Sequence, residues 1–171
     1  MSSILLYFPT LSIIKSIQCN TKFGDTMIVP NFKNSREYIL GITQKELARL
    51  LNKKRSTIAG WENGIDTIPL IELIKYANMF NFSLDYLFGL SKNIYNKNKI
   101  IFDNEVLSNK LKTLRIKNNF KEEDIANLLG TTQPNYSHYE TGTNIIKTTY
   151  LYSLLKYYKP FSIDELFGRK R

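Results

Sequence analysis

Apolar positions in the first half of the chain fall at helical spacing, in short runs separated by polar or turn-forming breaks. Leu47, Leu50 and Leu51 form one stripe behind Thr43, a residue suited to cap a helix N-terminus. Asn52, Lys53 and Lys54 interrupt that stripe, and a second helix is predicted from about Arg55, with Ile58 and Trp61 on one face. Gly64 suits its end, because glycine adopts the left-handed conformation that closes many helices. Ile68 to Phe80 predicts a longer amphipathic helix. Ser83 caps a final short one, with Asp85 in its first turn. The second half repeats the logic. Leu107, Leu111 and Leu114 supply a leading helix; Thr132 caps a helix that opens with Gln133 and Pro134; Ser162 and Glu165 suit a capping box. The leading helix of the first half, around Phe32 to Ile39, is less clearly marked.

The two halves are copies. Shifting the chain by 78 residues lays TQKELARLLNKKRSTIAGWENG (Thr43 to Gly64) on KEEDIANLLGTTQPNYSHYETG (Lys121 to Gly142), so that Ala48, Leu50, Leu51, Glu62 and Gly64 recur as Ala126, Leu128, Leu129, Glu140 and Gly142. A shift of 79 lays FSLDYLFG (Phe82 to Gly89) on FSIDELFG (Phe161 to Gly168), which puts one extra residue near Lys159 and Pro160. A pair of units fits duplicated globular domains better than a solenoid, which needs about three repeats or more.

The expected organisation is all-α. It comprises an N-terminal extension over 1–27, a first domain over 28–90, a linker over 91–104 and a second domain over 105–171. The linker sequence SKNIYNKNKIIFDN is rich in Asn and Lys and lacks helical periodicity. Fully extended, it reaches roughly 45 Å. The extension contains the apolar run ILLYFPTLSII (Ile4 to Ile14), which is too short to span a bilayer, lacks a basic region ahead of it and contains Pro9. Two readings of the extension stay open: a disordered tail, or an untranslated stretch ahead of a start at Met27.

The segment TQKELARLLNKKRSTIAGWENG closely resembles the Cro/C1 (xenobiotic-response-element) family of helix-turn-helix regulators, and SLDYLFGLS resembles the end of that family's five-helix domain. The resemblance implies two tandem lambda-repressor-like DNA-binding domains. It places the base-reading positions at Arg55, Ser56, Thr57 and Gly60 in the first copy, where glycine forfeits a usual side-chain contact, and at Gln133, Asn135 and His138 in the second, with the capping Thr132 also on the DNA-binding surface. It makes Gln44 a phosphate contact, with Lys53 and Lys54 in the basic turn beside it. Small Ala48 and Ala126 let helices approach closely, and Leu47, Leu51 and Ile58 read as core. The copies differ electrostatically, since Glu122 replaces the glutamine and is followed by Glu123 and Asp124. Acidic side chains there suit a helix N-terminus but repel a phosphate, although Lys110, Lys112, Lys117 and Lys121 offer compensating charge.

Composition agrees with a polyanionic partner: Lys+Arg 24 against Asp+Glu 15 gives a net charge of +9. A hydrophobic content of 43% is enough for packed cores. One cysteine, Cys19, excludes an internal disulfide and fits a reducing cytoplasm, and the lone His138 lies in no metal-ligand pattern. Glycine-rich phosphate loops, paired-carboxylate motifs and nucleophile elbows are missing, so no enzyme, cofactor, metal site or small-molecule ligand is expected. The expectation is a cytoplasmic transcriptional repressor that binds double-stranded DNA, with homodimerisation left open. The alternative is an antitoxin-like module in which one unit contacts protein.

Overall fold

The computed structural model describes residues 28–158 and 162–169. The N-terminal extension, with Ile4 to Ile14 and Met27, and the inserted residue near Lys159 and Pro160 lie outside the described residues. Within them the chain is helical, as expected. The first half contains α1 (Phe32–Asn34), which runs into a π-helical turn (Ser35–Ile39), then α2 (Gln44–Leu50), α3 (Arg55–Asn63), α4 (Leu70–Phe80) and α5 (Leu84–Leu87). The second half contains α6 (Asn104–Lys117), α7 (Glu122–Leu129), α8 (Gln133–Glu140), α9 (Thr148–Leu154) and α10 (Ile163–Leu166). The poorly marked leading helix of the first half is thus a short α-turn continued as a π-turn, where the second half has 14 regular helical residues. No helix among the described residues is long and apolar enough to cross a membrane.

The predicted N-cap residues accept the expected backbone bonds, with Ser162 supplying its half of the expected box. Thr43 and Glu46 make a reciprocal capping box at the start of α2. Thr132 accepts from the Asn135 amide at α8, and Ser83 and Ser162 accept from the amides of Tyr86 and Glu165. Gly64 closes α3 with φ +71°. Asn52, which ends the Leu47–Leu51 stripe, sits in the left-handed region at φ 54°. Behind these caps, Leu47, Ile58 and Leu73 of the first unit, and Ile125, Leu129 and Leu151 of the second, are wholly shielded from water. Each such side chain contributes on the order of 1.5–3 kcal/mol of burial. Aromatic rings complete the first core: Phe32 meets Tyr76 edge-on at 4.9 Å and Trp61 at 6.3 Å.

The segment between the units does not span open solvent. Its backbone bonds back to the first unit, with Ser83 donating to the Ile94 carbonyl at 2.8 Å and Asn96 donating to the Asn81 carbonyl at 2.8 Å. The Asn78 side chain serves the Ile100 backbone like a neighbouring strand, donating to its carbonyl at 2.9 Å and accepting from its amide at 2.8 Å. Tyr95 stacks on Phe82 at 5.9 Å, and Lys99 caps the end of α4 through the Asn78 carbonyl and the Asn81 side chain. These bonds replace the extended reach of roughly 45 Å with a docked strap.

The two units meet through α5 and α10. Ser162 donates to Asp85 at 2.7 Å, and Asp85 also accepts from the Ile163 amide at 2.6 Å. In return Ser83 donates to Asp164 at 2.5 Å, and Asp164 accepts from the Asp85 amide at 3.2 Å. All four side chains are buried. Each serine thus accepts from an amide of its own helix and donates its hydroxyl hydrogen bond to the carboxylate of the other unit. Beside them, Thr148 donates to the Ile68 carbonyl at 2.7 Å, and Phe88 stacks on Tyr152 at 6.0 Å. An open apolar groove of about 460 Å³ between residues 67–71 and 145–150 borders the contact. Buried Arg169 bonds Asp164 at 3.1 Å, the Phe82 carbonyl at 2.8 Å and the Asn78 side chain at 2.9 Å.

Candidate nucleic-acid interface

The surface expected to meet DNA begins at the turn between α2 and α3. There Lys54, Arg55 and Ser56 are exposed and Thr57 is half-buried. Among the described residues, no partner takes the side chains of Lys54, Arg55 or Ser56. Lys54 occupies the N-cap of α3 without a side-chain bond to it, so the helix starts where expected but without the usual hydroxyl. Ile58, Trp61 and Glu62 turn inward from the same helix and fix its roll. That division of labour leaves only the first turn of α3 facing outward at its N-terminal end.

Two expected contacts sit differently. Gly60 is buried; its carbonyl accepts from Ile65 at 2.9 Å and Asp66 at 3.3 Å, so it is part of the closing turn and not of the outward surface. Lys53 is committed to α4, where its ammonium pairs with Glu72 at 3.1 Å alongside Lys75 at the same distance. Burial pushes the Glu72 carboxyl up, but the bonds from Lys75 and Lys53 outweigh that and hold it below its ordinary value. Lys54 is therefore the lysine of the turn whose ammonium, among the described residues, is left without an ion-pair partner.

Gln44 lies half-buried at the first position of α2, where its side-chain amide donates to Glu62 at 2.8 Å. Glu62 in turn receives Arg36, from Nε at 2.5 Å and from Nη2 at 3.0 Å, and the remaining Arg36 nitrogen donates to the Ile42 carbonyl at 2.6 Å. The Glu62 side chain is fully shielded. Its hydrogen bonds raise the Arg36 pKa above the ordinary value, more than burial lowers it. One buried ion pair therefore ties the leading helix to α3 and orients the glutamine at the head of α2.

The second unit rebuilds this network with one change. Arg115 bonds Glu140 at 2.7 Å and 2.8 Å and the Phe120 carbonyl at 2.9 Å. Glu122, in the place of Gln44, lies 3.8 Å from Arg115 and accepts from the Gln133 side chain at 2.6 Å. Its charge thus points at a guanidinium and an amide donor within the unit. Thr132, Gln133, Asn135 and His138 are exposed together on the outer side of α8. Of the lysines expected to compensate, Lys110 instead caps α10, donating to the Leu166 carbonyl at 2.9 Å. Arg36 and Arg115 were not anticipated as part of the site. The signal was present, because the shift of 79 that aligns the C-terminal segments also lays Arg36 on Arg115.

In both halves, then, a capped helix and a tight turn lead to a second helix whose exposed first turn is held by a buried Arg–Glu pair, which is the arrangement of a helix-turn-helix unit. A family model described as helix-turn-helix matches the chain twice, over residues 33–87 and 111–166. The chain belongs to the Cro/C1-type helix-turn-helix family, a family of DNA-binding transcription regulators, with two modules in tandem. No curated protein and no solved structure matches it.

Proposed function

We propose that the chain is a sequence-specific repressor of phage or bacterial type, acting in the cytoplasm on double-stranded DNA through modules at 28–90 and 105–171 joined by 91–104. In the first module, Arg55, Ser56 and Thr57 read base edges, and Lys54 with Gln44 meets phosphate. In the second, Thr132, Gln133, Asn135 and His138 form the reading surface. The observation that carries this reading is the exposed and unpartnered first turn of α3, rigidly backed by Arg36, Glu62 and Gln44. A guanidinium so presented can take both acceptors of a guanine in the major groove. Repression by occlusion needs no further domain.

The test is retention of genomic fragments by the full chain across a salt series with nonspecific competitor DNA. Specific binding with a steep salt slope is expected. Replacing Arg55 by alanine should cost about 1–3 kcal/mol and relax one position of the site. Failure to retain any fragment at low salt refutes the reading. One observation favours a second reading, in which the second module contacts protein: Glu122, Glu123 and Asp124 open α7, and the Gln133 amide is spent on Glu122.

A further inference from the structure

The contact between the modules is reciprocal, and reciprocity dictates how they are related. Ser83 and Asp85 of the first module match Ser162 and Asp164 of the second in the aligned FSLD and FSID segments. Ser83 bonds Asp164, and Ser162 bonds Asp85. A contact that survives exchange of its two members is isologous, the signature of a two-fold axis; a head-to-tail stacking would use two different patches. The groove beside the contact obeys the same exchange, since residues 67–71 and 145–149 are corresponding stretches under the shift of 78. The surface is sealed by four buried polar side chains and by Arg169, whose position in the first module is held by exposed Leu90. The docked strap further limits splaying of the modules.

Resting on the reading of the modules as DNA binders, we infer that one chain, acting as a monomer, recognises a two-part DNA site whose halves are inverted relative to each other, held at fixed spacing, and different in sequence. The inverted order follows from the local two-fold axis, which relates the first turn of α3 to that of α8. Fixed spacing follows from the bonded interface and strap. Unlike halves follow from unlike side chains: Arg55 and Ser56 on one side, Gln133, Asn135 and His138 on the other. Independent modules on a loose tether would accept direct and inverted repeats at many separations.

The experiment is selection of bound duplexes from a random-sequence DNA library by the full chain, followed by native mass spectrometry of the chain on the selected duplex. The expected result is one chain per duplex and two dissimilar half-sites in inverted order, with affinity falling about tenfold or more when about five base pairs, half a turn, are inserted between them. Arg55→Ala is expected to relax one half-site and leave the other unchanged. Two chains per duplex, a direct repeat, indifference to spacing, or relaxation of both halves by Arg55→Ala overturns the inference while leaving DNA binding intact. Enrichment of no sequence at all overturns the parent reading as well.

Discussion

Replacing Arg36 by methionine should be among the most damaging single changes in the first module. The substitution keeps much of the side-chain volume but removes both guanidinium bonds to Glu62 and the bond to the Ile42 carbonyl. Glu62 would then be a fully shielded carboxylate with Gln44 as its remaining donor. Removing one member of a buried ion pair costs about 3–5 kcal/mol, whereas replacing both members by apolar groups is often neutral or better. Against a total stability of about 5–15 kcal/mol, the single change is large. Urea unfolding followed by circular dichroism gives the loss from the shift in midpoint at constant slope. The double variant Arg36→Met, Glu62→Leu should recover most of it, and the difference is the coupling between the two sites. A single-variant loss under about 1 kcal/mol, or a double variant no better than the single, would refute the argument that the pair is a buried, mutually dependent brace.

Gly60→Ala should raise stability by roughly 0.5–1 kcal/mol, as for alanine over glycine inside a helix, because its Cβ would meet Asp66 at an ordinary 3.5 Å; differential scanning calorimetry should show a higher Tm, and unchanged DNA affinity would agree with its burial. Lys53→Ala should cost under about 1 kcal/mol in urea unfolding, and its effect on DNA affinity should be smaller than that of Lys54→Ala. Glu72 sits below its ordinary carboxyl value, so it adds stability above the ordinary value of 4.5 that disappears as pH falls through the lower value of the folded state. A Glu72→Gln variant should lack that part of the acid loss, measured as unfolding midpoint between pH 6 and pH 3, about the range in which carboxylates titrate.

Much of the fold was readable because its signals are local. Thr43, Ser83, Thr132 and Gly64 act on backbone within a few residues, and the duplication itself fixed which stretches must fold alike. The brace was harder to read, since Arg36 finds Glu62 across 26 positions with no periodicity to join them. The docking of the strap was hidden because its sequence has no periodicity and its partner lies elsewhere, in α4, where the Asn78 amide stands in for a strand edge opposite Ile100. Asp85 misled in another way. Its place in the first turn of α5 suggested service to its own helix, while its carboxylate in fact satisfies the hydroxyl and amides that open α10. A basic turn likewise announces charge but not which ammonium is already paired, as that of Lys53 is with Glu72.

Covalent connection changes the meaning of the seam sealed by Ser83, Asp85, Ser162 and Asp164. Two separate chains meeting through such a surface come apart on dilution, and the amount of protein that can grip two half-sites together then varies with the square of protein concentration. A tethered partner is instead present at a local concentration in the millimolar range, whatever the abundance of the protein. The seam therefore closes equally well in a cell holding few copies or many. A regulator assembled in this way would respond to its own dosage in a graded, first-power manner, without the threshold that a dissociating pair imposes.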